Sequence, residues 1–174
     1  MTILTAGYGN RGFDKFIELI KAHGVTHLVD VRSVPQSGYW EDFRKARLEQ
    51  IVPPTGIRYV YMGDTLGGTP AAASGARPPL FCRTEPGQID LEPLFADPRF
   101  RLGLRKLVEA ASVEGRRFCL MCGCLRPFKC HRFRLIGEAL ANEGVEVLHL
   151  DEKGEPVPHA RVVEQAKSPQ GELF

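Results

Sequence analysis

Short apolar runs alternate with amphipathic stretches along most of this chain, and that alternation restricts what it can fold into. Ile3 to Ala6, Val25 to Val31, Ile57 to Met62, Arg117 to Met121 and Val145 to Leu150 are brief and mostly apolar, the pattern of strands. Phe13, Phe16, Ile17 and Ile20 recur at helical spacing up to a stop at Gly24, and Phe43 to Ile51 reads as a helix ended by Pro53-Pro54. Leu91 to Ala111 is helical with a restart at Pro98, and Phe133 to Glu143 is helical again. Strands alternating with helices at this spacing build parallel sheets with helices on both faces. The expected fold is α/β: a single-domain, three-layer, Rossmann-like arrangement with a mostly parallel sheet of about five strands. It is expected to occupy residues 1–152, with residues 153–174 forming a polar C-terminal tail. Gly63 to Gln88, with Gly67-Gly68 and Pro78-Pro79, reads as a long irregular loop.

The chain has 174 residues, enough for one ordinary domain. A formal net charge of +2 argues against a wholesale polyanion binder while leaving room for a local basic patch. The cysteine count of five is odd, and four of them lie between Cys119 and Cys130, which is a poor framework for disulfides. No basic leader with an apolar core and no stretch of membrane-spanning length is evident. These features lead to the expectation of a reduced, cytoplasmic protein without membrane partners.

The chemistry concentrates in Cys122-Gly123-Cys124-Leu125-Arg126-Pro127-Phe128-Lys129-Cys130-His131-Arg132, between the fourth strand and the following helix. Parallel α/β sheets place ligands at the carboxyl ends of their strands. Asp30, Arg32 and Ser33 at the end of the second strand, and Tyr8 and Asn10 after the first, are expected to face the same crevice. A helix start favours an anion, and with neighbouring cations it lowers a thiol pKa. Cys122, Cys130, His131 and Asp30 are therefore the expected catalytic groups, with Arg32, Arg126, Lys129 and Arg132 holding an anion and Tyr8, Asn10 and Ser33 lining the cleft. Cys119, in mid-strand, reads as core. A different class of answer is metal binding: Cys122, Cys124, Cys130 and His131 offer up to four soft ligands suited to zinc, although their spacing lacks paired C-x2-C arms. No cysteine stands six positions before Arg126 or Arg132, so a phosphatase-type Cys-x5-Arg loop is absent.

Thr5-x-Gly7-Tyr8-x-Asn10-Arg11, Leu28-Val29-Asp30-Val31-Arg32-Ser33-x-Pro35 and Cys122-Gly123-x4-Pro127-x2-Cys130-His131-Arg132 together resemble the domain-of-unknown-function 488 family. The resemblance continues through Ile57-Arg58-Tyr59, Leu66-Gly67-Gly68 and Val147-Leu148-His149-Leu150. The family pattern often carries glutamate where this chain has Cys124, so an acid or base role for that position does not carry over. The resemblance implies a fold and a site more than an activity. Asp30-Val31-Arg32 and the cysteine loop also echo rhodanese-like domains, which would imply sulfur transfer.

Two further stretches suggest partners. The C-terminal Gln170-Gly171-Glu172-Leu173-Phe174 resembles the bacterial sliding-clamp-binding peptide, in which Gln170 would bond beside a groove filled by Leu173 and Phe174. Tyr39, Trp40 and Phe43 with Arg44, Lys45 and Arg47 form an aromatic and basic stretch of the kind that can stack on bases, or serve as an ordinary half-buried helix. His23, His27 and His149 read as structural, while His159 is a residue only the fold can place. The leading expectation is action on a phosphate-bearing nucleotide or nucleic acid in DNA maintenance, through the cysteine and arginine loop. The alternatives are a metal-stapled nucleic-acid or clamp adaptor without catalysis, and rhodanese-like sulfur transfer.

Overall fold

A computed structural model describes residues 1–68 and 91–167. Six strands form one sheet: β1 (Thr2–Gly7), β2 (His27–Asp30), β3 (Arg58–Tyr61), β4 (Phe118–Cys122), β5 (Glu146–Leu150) and β6 (Pro156–Pro158). Their spatial order is β3-β2-β4-β1-β5-β6. All pairings are parallel except β5 with β6. The expected mostly parallel α/β sheet is therefore present.

The handedness of parallel crossovers dictates which face each helix covers. From β1 the chain steps to β2 and then β3, moving toward one edge. Helices α1 (Phe13–Ala22) and α2 (Lys45–Ile51) make these connections and bury Phe16, Ile17, Ile20 and Leu48 against Leu4, Ala6, Leu28, Cys119 and Met121. From β3 the chain reverses direction, passing to β4 and then β5, so its helices cover the other face. There α5 (Pro98–Ala111) and the segment from Arg132 to Asn142 bury Leu104, Leu107, Leu135, Ile136 and Leu140 against Ile3, Val29, Phe118, Leu120 and Val147. Two short helices, α3 (Gly63–Leu66) and α4 (Glu92–Ala96), flank the β3-to-β4 connection. β4 is central and buried along its whole length, which explains its unbroken apolar sequence.

The segment after β4 winds as a π-helix over Arg132–Gly137 before tightening into α6 (Glu138–Asn142). Such wide turns occur mostly as single insertions and are frequent at functional sites. Residues 156–167, expected to belong to a polar tail, instead form edge strand β6 and helix α7 (His159–Lys167). Burial of His159 and Val162 docks this segment, and the two prolines of β6 are tolerated because it has a free edge. Among the described residues no helix is long and apolar enough to cross a membrane.

Candidate functional site: paired thiols at the carboxyl edge

Gly7 and Cys122 are register partners at the ends of β1 and β4, and β2 ends beside them at Asp30. The cysteine loop leaves β4 here. Backbone N–H groups of Tyr8 and Gly9 donate to the carbonyls of Cys122 and Gly123 at 3.1 Å each, extending the sheet into the loop. Gly7 has no side chain because the loop crosses directly over it: a β-carbon there would collide with the Cys124 carbonyl and lie 2.7 Å from an Arg132 nitrogen. The fully buried Arg132 donates to the carbonyls of Cys124 and Leu125, the latter at 2.9 Å, and so clamps the loop from below.

Three of the residues singled out by sequence converge. The sulfurs of Cys122 and Cys130 each lie 3.8 Å from Nδ1 of His131. The opposite ring nitrogen, Nε2, donates to the Val31 carbonyl at 2.8 Å. A carbonyl only accepts, so Nε2 carries the proton and the neutral ring presents a lone pair at Nδ1 to both thiols. Cys122 is held well below the usual thiol pKa, first by a hydrogen bond from Cys130 and then, against the cost of burial, by His131 and Arg132. Cys130 moves well upward, because it is buried and donates to Cys122. Burial opposes charge on His131, yet the adjacent Cys122 thiolate raises its pKa. The favoured state is thus a Cys122 thiolate beside a His131 imidazolium, with Cys130 a neutral thiol. Cys122 retains 7% exposure and Cys130 none, so Cys122 is the more accessible of the two.

Cys119 behaves as the core residue its mid-strand position implied: it is fully buried and its thiol is pushed up to about 12. Cys124 is disulfide-bonded, and its sulfur lies within 4.8 Å of those of Cys122 and Cys130. Three cysteine sulfurs this close can converge on one metal ion. Cys82 lies outside the described residues, as do Gln170, Leu173 and Phe174.

The arginines are differently employed from the expected anion cradle. Arg32 forms a buried two-pronged pair with Asp30, Nε to Oδ1 at 2.8 Å and Nη2 to Oδ2 at 2.6 Å. It also donates to the Phe43 carbonyl at 2.7 Å and the Tyr8 hydroxyl at 3.2 Å. Despite its burial, the bonds to Asp30 hold Arg32 above the usual guanidinium range. Tyr59, which sequence did not single out, donates to Asp30 Oδ2 at 2.8 Å. Arg126 pairs with Glu152 at 2.9 Å on the surface. Lys129 and Ser33 are half-buried and Asn10 is exposed. Tyr8 stacks on Phe43 with ring centroids 3.9 Å apart, which sets its hydroxyl beside Gly123 of the loop. The cations of the aromatic and basic stretch carry acidic partners: Arg44 with Glu41, Lys45 with Glu49 and Arg47 with Asp42.

A second polar assembly lies on the same side of the sheet. Thr5 Oγ1 meets His149 Nδ1 at 2.7 Å, His149 Nε2 meets His159 Nδ1 at 3.0 Å, and His159 Nε2 meets Glu138 Oε2 at 3.0 Å. With both imidazoles neutral, the terminal carboxylate orders the protons: His159 donates to Glu138, His149 to His159 and Thr5 to His149. Phe133 of the π-helix packs on both imidazoles, at 5.4 and 4.8 Å between ring centroids. His159 thus serves this relay rather than the thiols.

The fold and site define an α/β protein with a histidine-paired dithiol at the carboxyl edge of its sheet. The family model for the domain of unknown function DUF488 matches residues 12–140, and the chain belongs to that family. Neither the curated proteins nor the solved structures contain a match to it.

Proposed function

We propose that this protein carries out thiol chemistry on a sulfur-centred electrophile, with Cys122 as nucleophile, His131 holding the displaced proton and Cys130 as resolving thiol. The observation that carries the reading is the placement of both sulfurs 3.8 Å from one imidazole nitrogen whose partner nitrogen is tied to Val31. That geometry generates a thiolate and keeps a second thiol within reach of whatever it becomes. With a sulfane-sulfur donor, the Cys122 thiolate attacks the outer sulfur, forming a persulfide and releasing the donor's thiolate. Cys130 then attacks the inner sulfur, its proton leaves with the expelled hydrosulfide, and a Cys122–Cys130 disulfide remains for an external thiol to reduce. A phosphate-bearing substrate draws less support, because Arg32, Arg126 and Arg132 already have partners within the protein.

Intact-mass spectrometry after incubation with glutathione persulfide tests this. Cys130→Ser is expected to accumulate one added sulfur on Cys122, while wild type proceeds to the disulfide and releases sulfide. Neither product should form in Cys122→Ser. Unmodified Cys122 in Cys130→Ser would overturn the reading.

A second reading rests on the three sulfurs within 4.8 Å of one another. Ligand atoms about 2.3 Å from a tetrahedral zinc stand roughly 3.8 Å apart, so small rotations of Cys122, Cys124 and Cys130 suffice once Cys124 is reduced. The Val31 carbonyl behind His131 is also the kind of partner that orients a metal-binding imidazole. Elemental analysis of protein purified under reducing conditions decides it: stoichiometric zinc with protected thiols favours a metal-stapled protein, and metal-free protein with one fast thiol removes that reading.

A further inference from the structure

On the face covered by α5, the sheet's outermost parallel strand is left partly bare. A cleft of about 400 Å3 runs there between β3 and α5, within the size range of small-molecule sites. Alternation along β3 sends Val60 to this side, packed at the margin of the core, and Leu107 and Phe118 complete an apolar floor. Arg58 and Arg116 stand at one end with His27, whose ring stacks on Phe118 with centroids 4.5 Å apart and planes 8° from parallel. Lys106 lines the wall, and Asp64 lies toward the opposite end.

None of Arg58, Lys106 and Arg116 takes part in an ion pair among the described residues. Arg58 and Arg116 both sit near enough to disfavour charge on His27, after the effect of burial, so two cations are concentrated there without a compensating acid among the described residues. Asp64 gives the other end the opposite sign. From Arg58 to Met62 along an extended strand is roughly 13 Å.

We propose that this cleft binds a small organic anion with one charged head and a flat or elongated apolar body. The head lies between Arg58 and Arg116, beside His27, and the body lies along Val60, Leu107 and Phe118. One acidic residue at the far end disfavours a ligand charged at both ends. His27, Arg58 and Phe118 begin β2, β3 and β4, whereas Cys122 ends β4, so this site stands apart from the thiols and does not rest on their chemistry.

The fluorescent probe 8-anilinonaphthalene-1-sulfonate has the required form. Saturable binding of one probe per chain is expected, with affinity falling about tenfold or more in Arg58→Glu and in Arg116→Glu. Both side chains are exposed, so the fold should survive, and circular dichroism checks that it does. Lys15→Glu changes net charge equally from the exposed side of α1 and should leave binding unchanged. Competition with decanoate and with adenosine monophosphate identifies the source of the anion: displacement by either supports the site and names its class. Unsaturable binding, equal weakening by Lys15→Glu, affinity indifferent to both arginine variants, or displacement by neither competitor would overturn the proposal.

Discussion

His131 donates from Nε2 to the carbonyl of Val31, 100 positions earlier in sequence and 2.8 Å away. This single bond turns Nδ1 toward Cys122 and Cys130 and makes the ring an acceptor for a thiol proton. An unperturbed thiol with a pKa near 8.5 is only about 3% ionised at pH 7. Alkylation of Cys122 by iodoacetamide, followed by mass spectrometry across pH, should show an inflection well below that value. In His131→Asn the inflection should move up, and the rate at pH 7 should fall roughly tenfold to thirtyfold. A pH profile unaltered by the substitution would separate Cys122 reactivity from His131.

The same pair shapes stability. Folded protein favours Cys122 thiolate with His131 imidazolium, while an unfolded chain between about pH 6.5 and 8.5 holds a neutral imidazole and a thiol. Both forms carry one proton, so the pair adds no slope in that window. Below it the unfolded histidine gains a proton, and above it the unfolded cysteine loses one. Stability from the pair therefore declines on both sides. Urea unfolding at a series of pH values should show this plateau in wild type. In Cys122→Ser the alkaline decline should shrink.

Asp30 and Arg32 show what sequence reveals and what it hides. Residues two apart on an extended strand share a face, so the pair was legible as neighbours. The buried Asp30 carboxylate claims the Arg32 guanidinium, which is therefore not the open anion holder that its position suggests. Tyr59, Phe43 and Tyr8 complete that cage from three other elements, and no local pattern announces it. Strands β1, β2, β4 and β5 were legible as short, mostly apolar runs because they are largely buried, and half-buried edge strand β3 was legible through Tyr59, Val60 and Tyr61. β6 was not, because Pro-Val-Pro reads as a break and is tolerated only at an edge. Cys122, Cys130 and His131 were legible because one loop carries all three. The relay was not, because Thr5 and His149 stand 144 positions apart.

Removing one partner of the Asp30–Arg32 pair should be costly. Asp30→Ala leaves a buried guanidinium without its carboxylate, and such changes cost about 3–5 kcal/mol. Tyr59→Phe removes one hydrogen bond to the same carboxylate and should cost about 1–3 kcal/mol. Urea midpoints measure both. Equal, small losses would place the pair among marginal surface interactions, contrary to its burial.

The relay makes a prediction of its own at acid pH. His149 is fully buried, and burial, Arg132 and His159 depress its pKa well below the usual value. As pH falls below about 6.5, the unfolded chain protonates this histidine while the folded chain resists, so stability is lost toward acid, at up to about 1.4 kcal/mol per pH unit. The Cys122 and His131 pair contributes a decline of the same sign, and buried His131 still contributes one when Cys122 is serine, so the relay is read as the difference between a Cys122→Ser parent and its His149 variant. There, replacing His149 with phenylalanine should flatten the loss of melting temperature between pH 7 and pH 5, whatever it costs at neutral pH. Phe133 already packs against this site, so an aromatic ring has a partner waiting. The hydroxyl of Thr5 would lose its acceptor, and Thr5→Val added to the phenylalanine variant should recover part of that cost. An acid decline as steep in the double variant as in its parent would show that proton uptake lies elsewhere.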